Sequence, residues 1–224
     1  MLLALVLSLL LSCSKQESLQ SIIKDGSKAC QRDNLSKRCQ NLKSKLALLK
    51  PTTGEWDFIL EECEKENRFM CALAAYYYRE EQNIEKAKRF AIKACRMGDV
   101  NACITGWDLS EESRDKYEYS DLACELGDSK SCSDKVIRLI ELDRESEAME
   151  LGVKLCLSGS GIDCYNIACL NSRSGNIANA KMYLKKATHF GFKEWEHFSN
   201  DPDLKNLKKE LNWEQFEKEL GKDF

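Results

Sequence analysis

Residues 93–103 read KACRMGDVNAC, and residues 122–132 and 154–164 repeat the design as LACELGDSKSC and KLCLSGSGIDC. In each stretch a glycine (Gly98, Gly127 or Gly159) stands three residues after one cysteine, and a second cysteine closes the segment. Glycine just past a helix supplies a left-handed cap at no steric cost. The pattern therefore predicts that the first cysteine lies in the last turn of one helix and the second at the start of the next. A disulfide between them ties two helix ends across a short turn. Closing a loop of about nine residues is worth roughly 2.6 kcal/mol in the chain-entropy account.

Five such pairs follow one another: Cys30/Cys39, Cys63/Cys71, Cys95/Cys103, Cys124/Cys132 and Cys156/Cys164. The second members recur after 32, 32, 29 and 32 residues. A near-constant period of this size is the mark of stacked repeat units. The helices before the junctions carry small residues at helical spacing, Ala87, Ala91 and Ala94 in one and Ala148 and Gly152 in another, followed by Leu155. Small residues let neighbouring helices approach closely. Polar turns such as Glu81-Gln82-Asn83 and Gly175-Asn176 separate further helices. The expected unit is helix, turn, helix, cysteine-bridged loop, and a single unit has too little core to fold alone. The fold class expected is all-α, a solenoid of helix-turn-helix repeats.

The pattern weakens at both ends. The first two junctions have Asp33 and Glu66 where glycine is expected. Beyond the last pair, the positions 32 residues on are Thr188 and Glu196, yet Gly191 still stands where a helix should end. Terminal repeats are commonly atypical because one face lacks a neighbour.

The first twelve residues, MLLALVLSLLLS, are uncharged and almost wholly apolar, and Cys13 follows. Such a run is shorter than the roughly 20 residues needed to span a bilayer and suits the apolar region of a secretory signal. Leu10-Leu11-Ser12-Cys13 resembles a bacterial lipobox, which implies cleavage and diacylation at Cys13. The absence of Lys or Arg ahead of the run departs from that pattern. The organisation expected is a signal peptide at 1–12, a lipidated tether at 13–20, a cysteine-rich helical array at 21–190 and a helical cap at 191–224.

Composition agrees with export. Twelve cysteines in 224 residues are too many for a reduced cytosolic protein without a metal. Zinc is disfavoured because there is no Cys-x-x-Cys and the two histidines, His189 and His197, lie beyond the last pair. No cofactor or metal is expected. Basic and acidic side chains number 34 and 37 and are interspersed, which speaks against a nucleic-acid surface.

The Cys-x-x-Gly junctions and helix pairs of residues 30–190 resemble those of bacterial cysteine-rich Sel-like repeat proteins, relatives of tetratricopeptide repeats. The resemblance implies a right-handed superhelix of disulfide-bridged helix pairs. Residues 163–220 resemble the tetratricopeptide end-of-group module of bacterial exported proteins, through Tyr165-Asn166-Ile167-Ala168-Cys169, Gly175, Ala180, Leu184, Ala187, Gly191 and Asp201-Pro202-Asp203-Leu204. There Trp195, Phe198, Leu204, Leu207, Trp213 and Phe216 would cover the last helix pair.

Five pairs and an anchor leave Cys169 over. It is expected to be a buried free thiol, with an intermolecular bridge as the alternative. Tyr76, Tyr77, Trp107 and Tyr117 are candidate contact residues, chosen because tyrosine and tryptophan are enriched at binding hot spots. The resemblance also implies a penicillin-binding or β-lactamase-type alternative. Ser21-x-x-Lys24 and Ser113-x-x-Lys116 match its first element, but nothing matches Lys-Thr-Gly, and Ser133-Asp134-Lys135 departs from Ser-Asp-Asn. The reading reached is a non-enzymatic scaffold in the bacterial cell envelope, held to the membrane, more readily the outer one, by its lipid. Its partner would be an envelope or host protein or peptide.

Overall fold

The computed structural model describes Cys30 and residues 51–221. Cys13, Cys39, Asp33 and Ser21 lie outside the described residues, as do the signal and the tether; Cys30 is disulfide-bonded. Among the described residues there are twelve α-helices, one 3₁₀ turn and no strand. They are α1 (Thr53–Glu64), α2 (Arg68–Glu80), α3 (Ile84–Arg96), α4 (Val100–Leu109), α5 (Ser113–Glu125), α6 (Ser129–Glu141), α7 (Glu145–Leu157), α8 (Gly161–Arg173), α9 (Ile177–His189), α10 (Trp195–Asn200), the 3₁₀ turn Pro202–Leu204, α11 (Lys205–Glu210) and α12 (Trp213–Glu219). Successive helices pack in pairs in the manner of a solenoid.

One joint recurs between helices. After Arg96 come Met97, then Gly98 at φ 91°, then Asp99. Gly98 N–H donates to the Cys95 carbonyl and Asp99 N–H to that of Ala94, the two bonds of a Schellman ending. The Asp99 carboxylate then accepts from Ala102 N–H at 3.0 Å, as an N-cap does. Asp99 thus closes one helix with its backbone and opens the next with its side chain. Asn67, Asn83, Asp128, Ser160 and Asn176 do the same at their joints.

Apart from Gly221, past α12, the left-handed residues are Glu66, Gln82 and Gly98, then Gly127, Asp143, Gly159, Gly175 and Gly191. Within each run they are sixteen residues apart, a thirteen-residue helix plus a three-residue joint. Glu66 has φ 61°, so the second junction keeps the backbone geometry that its lack of glycine seemed to deny. The interval between runs is the irregular one. There α4 has ten residues, and its C-cap Ser110 is extended (φ −87°, ψ 135°) rather than followed by a left-handed residue. This is the source of the 29-residue step in the cysteine ladder.

Between described residues four disulfides are in place: Cys63–Cys71, Cys95–Cys103, Cys124–Cys132 and Cys156–Cys164, with Cα–Cα separations of 4.6–4.8 Å. Each joins the next-to-last residue of one helix to the fourth of the following one.

The chain divides into two compact units, up to Leu122 and from Ala123. In the first, α2 packs between α1 and α3, and α3 against α4. Ala87, Ala91 and Ala94 are fully buried, as their spacing implied, and Ile59, Phe69, Met70, Leu73 and Phe90 of the same unit are buried too. Tyr119 of α5 lies on Gly106 of α4, and its hydroxyl donates to the Lys88 carbonyl of α3 at 3.0 Å. In the second unit α8 is the central helix, in contact with α7, α9, the 3₁₀ turn and α11. Ala148 and Gly152 of α7 face it, and a Cβ at Gly152 would stand 2.6 Å from Ile167 Cδ1. Asp163 of α8 is fully buried and accepts from Ser133 of α6 at 2.7 Å and Ser160 at 2.5 Å.

Two tests follow from these joints and contacts. Gly159 has open space where a Cβ would go, so Gly159→Ala should cost only the left-handed penalty of about 1–2 kcal/mol, while Gln82→Gly should raise stability by up to about 1 kcal/mol. Urea midpoints of both variants measure this. At Gly106 a Cβ would fall 2.0 Å from Tyr119 Cε1, so Gly106→Ala should destabilise by about 1–3 kcal/mol through overpacking, and Tyr119→Leu should partly rescue it.

Candidate functional site

Two places gather chemistry, one open and one closed. The open one is a pocket of about 120 Å³ between α2 and α4. Phe69, Leu73, Ala75 and Ala102 give it an apolar floor, and Tyr76, Asn101 and Thr105 stand around it. Asp99, the joint residue, adds its buried edge. Ala72, with its small side chain, also lines the space between the helices.

Of the four aromatic residues singled out from the sequence, Tyr76 alone lines this pocket, with the Arg79 guanidinium 5.2 Å from its ring centroid. Tyr77 is buried, its ring against Trp56 (5.5 Å) and Tyr76 (5.6 Å). Burial pushes its hydroxyl up to about 12. Trp107 and Tyr117 are exposed. Lys116 holds its ammonium 5.0 Å from the Trp107 ring centroid, a cation–π contact. That places Ser113-x-x-Lys116 on the exposed first turn of α5, with the lysine directed to an indole.

The closed place is built around Asp201. Tyr165 Oη donates to Asp201 Oδ2. The Cys169 thiol reaches the same oxygen at 3.7 Å, and His197 Nε2 lies 3.7 Å from it. Asp201 Oδ1 accepts from Asp203 N–H at 2.8 Å, which starts the 3₁₀ turn. Lys208 Nζ donates to the carbonyls of Ser199 (2.7 Å) and Asp201 (3.1 Å); burial lowers its pKa. The Tyr165 ring stacks on Phe198 at 5.1 Å and meets Phe192 at 5.0 Å. Farther along, Asn206 Nδ2 donates to the Ser172 and Arg173 carbonyls and Leu207 N–H to Ser172 Oγ. The last turn of α8 is thus satisfied by the segment that covers it.

Among the described residues Cys169 is the free thiol, and it is buried. Burial and the neighbouring Asp201 carboxylate push its pKa well up. Burial, Cys169 and the hydrogen bond to Asp201 do the same for Tyr165. A nucleophilic thiol needs the opposite setting, a pKa lowered by positive charge and access to solvent. This group is a structural clasp. Sequence reasoning did not foresee Asp201 as the common acceptor; the signal available was Asp-Pro-Asp-Leu, a turn opener ending in an apolar anchor.

Among the described residues no three His, Cys, Asp or Glu side chains converge as metal ligands. No helix among them is long and apolar enough to cross a membrane. The molecule so defined is an all-α array of helix pairs with local disulfides. Comparison with protein-family models, with curated proteins and with solved structures gives no match.

An acid held neutral by burial stabilises the fold below its unfolded pKa and ceases to as pH rises beyond it. Cysteine is near 8.5 and tyrosine near 10 when unfolded, to about a unit. The urea midpoint should therefore fall as pH rises above about 8.5, and Cys169→Ala should remove the first part of that fall. Tyr165→Phe should cost about 1.5–3 kcal/mol, the range for hydrogen bonds to a charged group. In the native protein Cys169 should resist iodoacetamide and react only in denaturant.

Proposed function

We propose that this protein is an exported, lipid-anchored repeat scaffold of the bacterial cell envelope, akin to the cysteine-rich Sel-like repeat proteins, and that it holds a protein or peptide on its helical face. The observation that carries this reading is the open α2–α4 pocket on helices fixed at their ends by local disulfides. Rigid helices on either side of a cleft lower the ordering cost of binding. The row of disulfides supports an oxidising compartment. Anchoring through Cys13 rests on the apolar run that precedes it.

Expression in a bacterial host with an alkynyl palmitate tests the anchor. The wild type should take up label and Cys13→Ser should not. Photo-crosslinking from position 105 in intact cells, followed by mass spectrometry, should recover one dominant protein. Recovery only of abundant bystanders, equal from a reporter on the opposite face, would sink the scaffold reading.

A further inference from the structure

The repeat carries an internal comparison that bears on what the α2–α4 pocket accepts. The residue directly after the second cysteine of each staple is Ala72 in α2, Ile104 in α4, Ser133 in α6 and Tyr165 in α8. Four residues later stand Tyr76, Asp108, Ile137 and Cys169. Two of these pairs meet opposite fates. In α8, Tyr165 fills the space beside α10, its ring against His197 and Phe198, the third and fourth residues of that helix. It is buried, and so is Cys169. In α2 the matching space beside α4 is bounded by Ala102, the third residue of that helix, and by Ala72 and Tyr76. There no side chain of α2 fills it, and a cavity of about 120 Å³ stays open.

The lining fits the same kind of occupant. Phe69, Leu73 and Ala102 offer apolar contact, and Tyr76 offers a ring edge or face. Asn101 and Thr105 of α4 are half-buried and can bond a peptide backbone that delivers the side chain. The Asp99 carboxylate on the lining is already engaged as the cap of α4 by Ala102 N–H, so a cationic side chain would compete with that bond and give up water on an otherwise apolar floor.

We propose that the α2–α4 pocket receives one aromatic side chain, phenylalanine or tyrosine, from a partner polypeptide, in the place that Tyr165 takes beside α10. This rests on the scaffold reading and specifies the partner: a segment whose anchor is a single ring. The chain's own residues 198–207, seated against Tyr165, Cys169 and Ser172 of α8, show the equivalent helix face already covered by polypeptide.

The test is nuclear magnetic resonance on the disulfide-intact protein, titrated with blocked pentapeptides Ala-Ala-Xaa-Ala-Ala in which Xaa is Phe, Tyr, Leu or Lys. The Phe and Tyr peptides should shift the amides of Ala72, Tyr76, Ala102 and Thr105, and the Lys peptide should not. Ala72→Tyr plants in α2 the side chain that α8 has and should abolish the shifts with no loss of thermal midpoint. Thr105→Phe closes the pocket from α4 and should do the same, which guards against misfolding of either variant. An equal response to Leu or Lys, or shifts that survive both substitutions, overturns the proposal. The scaffold reading fails differently, by the absence of a dominant crosslinked partner while the Phe-induced shifts persist.

Discussion

The regular helix pairs hang on a three-residue joint in which the end of one helix is the start of the next. The residue that receives the left-handed turn frees the following one to donate its N–H backward and to accept with its side chain forward. Asp99 and Asn176 show the two functions in a single residue. Because a helix end leaves four carbonyls and a helix start four N–H groups without partners, a shared joint satisfies part of both with very little chain. Constant joints impose constant helix lengths, and constant lengths bring the same face of each helix to its neighbour. The disulfides are laid over this geometry rather than creating it, since they link fixed positions on either side of a turn that is already hydrogen-bonded.

The cysteine ladder made the helix-pair architecture readable, and the glycines at 98, 127 and 159 marked three of the turns. The half-period was less visible. Gln82 and Asp143 take left-handed backbone without being glycine, so the sixteen-residue rhythm is carried by polar residues that are ordinary in any loop. Ala87, Ala91 and Ala148 were legible as a close-packed face because their spacing alone decides which side they share. Tyr77 was not legible in the same way. In Tyr76-Tyr77-Tyr78 three identical side chains point about 100° apart, and composition cannot say which ring turns inward: Trp56 meets both Tyr77 and Tyr78, and of the three only Tyr77 is buried.

The pocket and the clasp were hidden for a related reason. Each depends on what stands opposite a helix, and sequence periodicity describes only the helix itself. Cys169 read as a leftover thiol, but its setting is defined by Asp201, 32 residues away. Ala72 carries no signal in the sequence taken alone, yet it lines the cleft beside α4. Aligning the residues that follow each second cysteine would have flagged both, since Ala72 and Tyr165 are the smallest and the largest at one register.

The placement of the bridges has a consequence for how the chain withstands cutting. Joints are the parts of a helical array most open to a protease, and here they fall into two classes. A peptide bond broken between Cys95 and Cys103, or between Cys156 and Cys164, leaves the two pieces joined through sulfur. A break at Glu81-Gln82-Asn83 or at Leu142-Asp143-Arg144 meets no such bridge. Bridged and unbridged joints flank α3 and α7, so the joints within a helix pair are where a single cleavage can separate the chain, and those between pairs are where it can be survived.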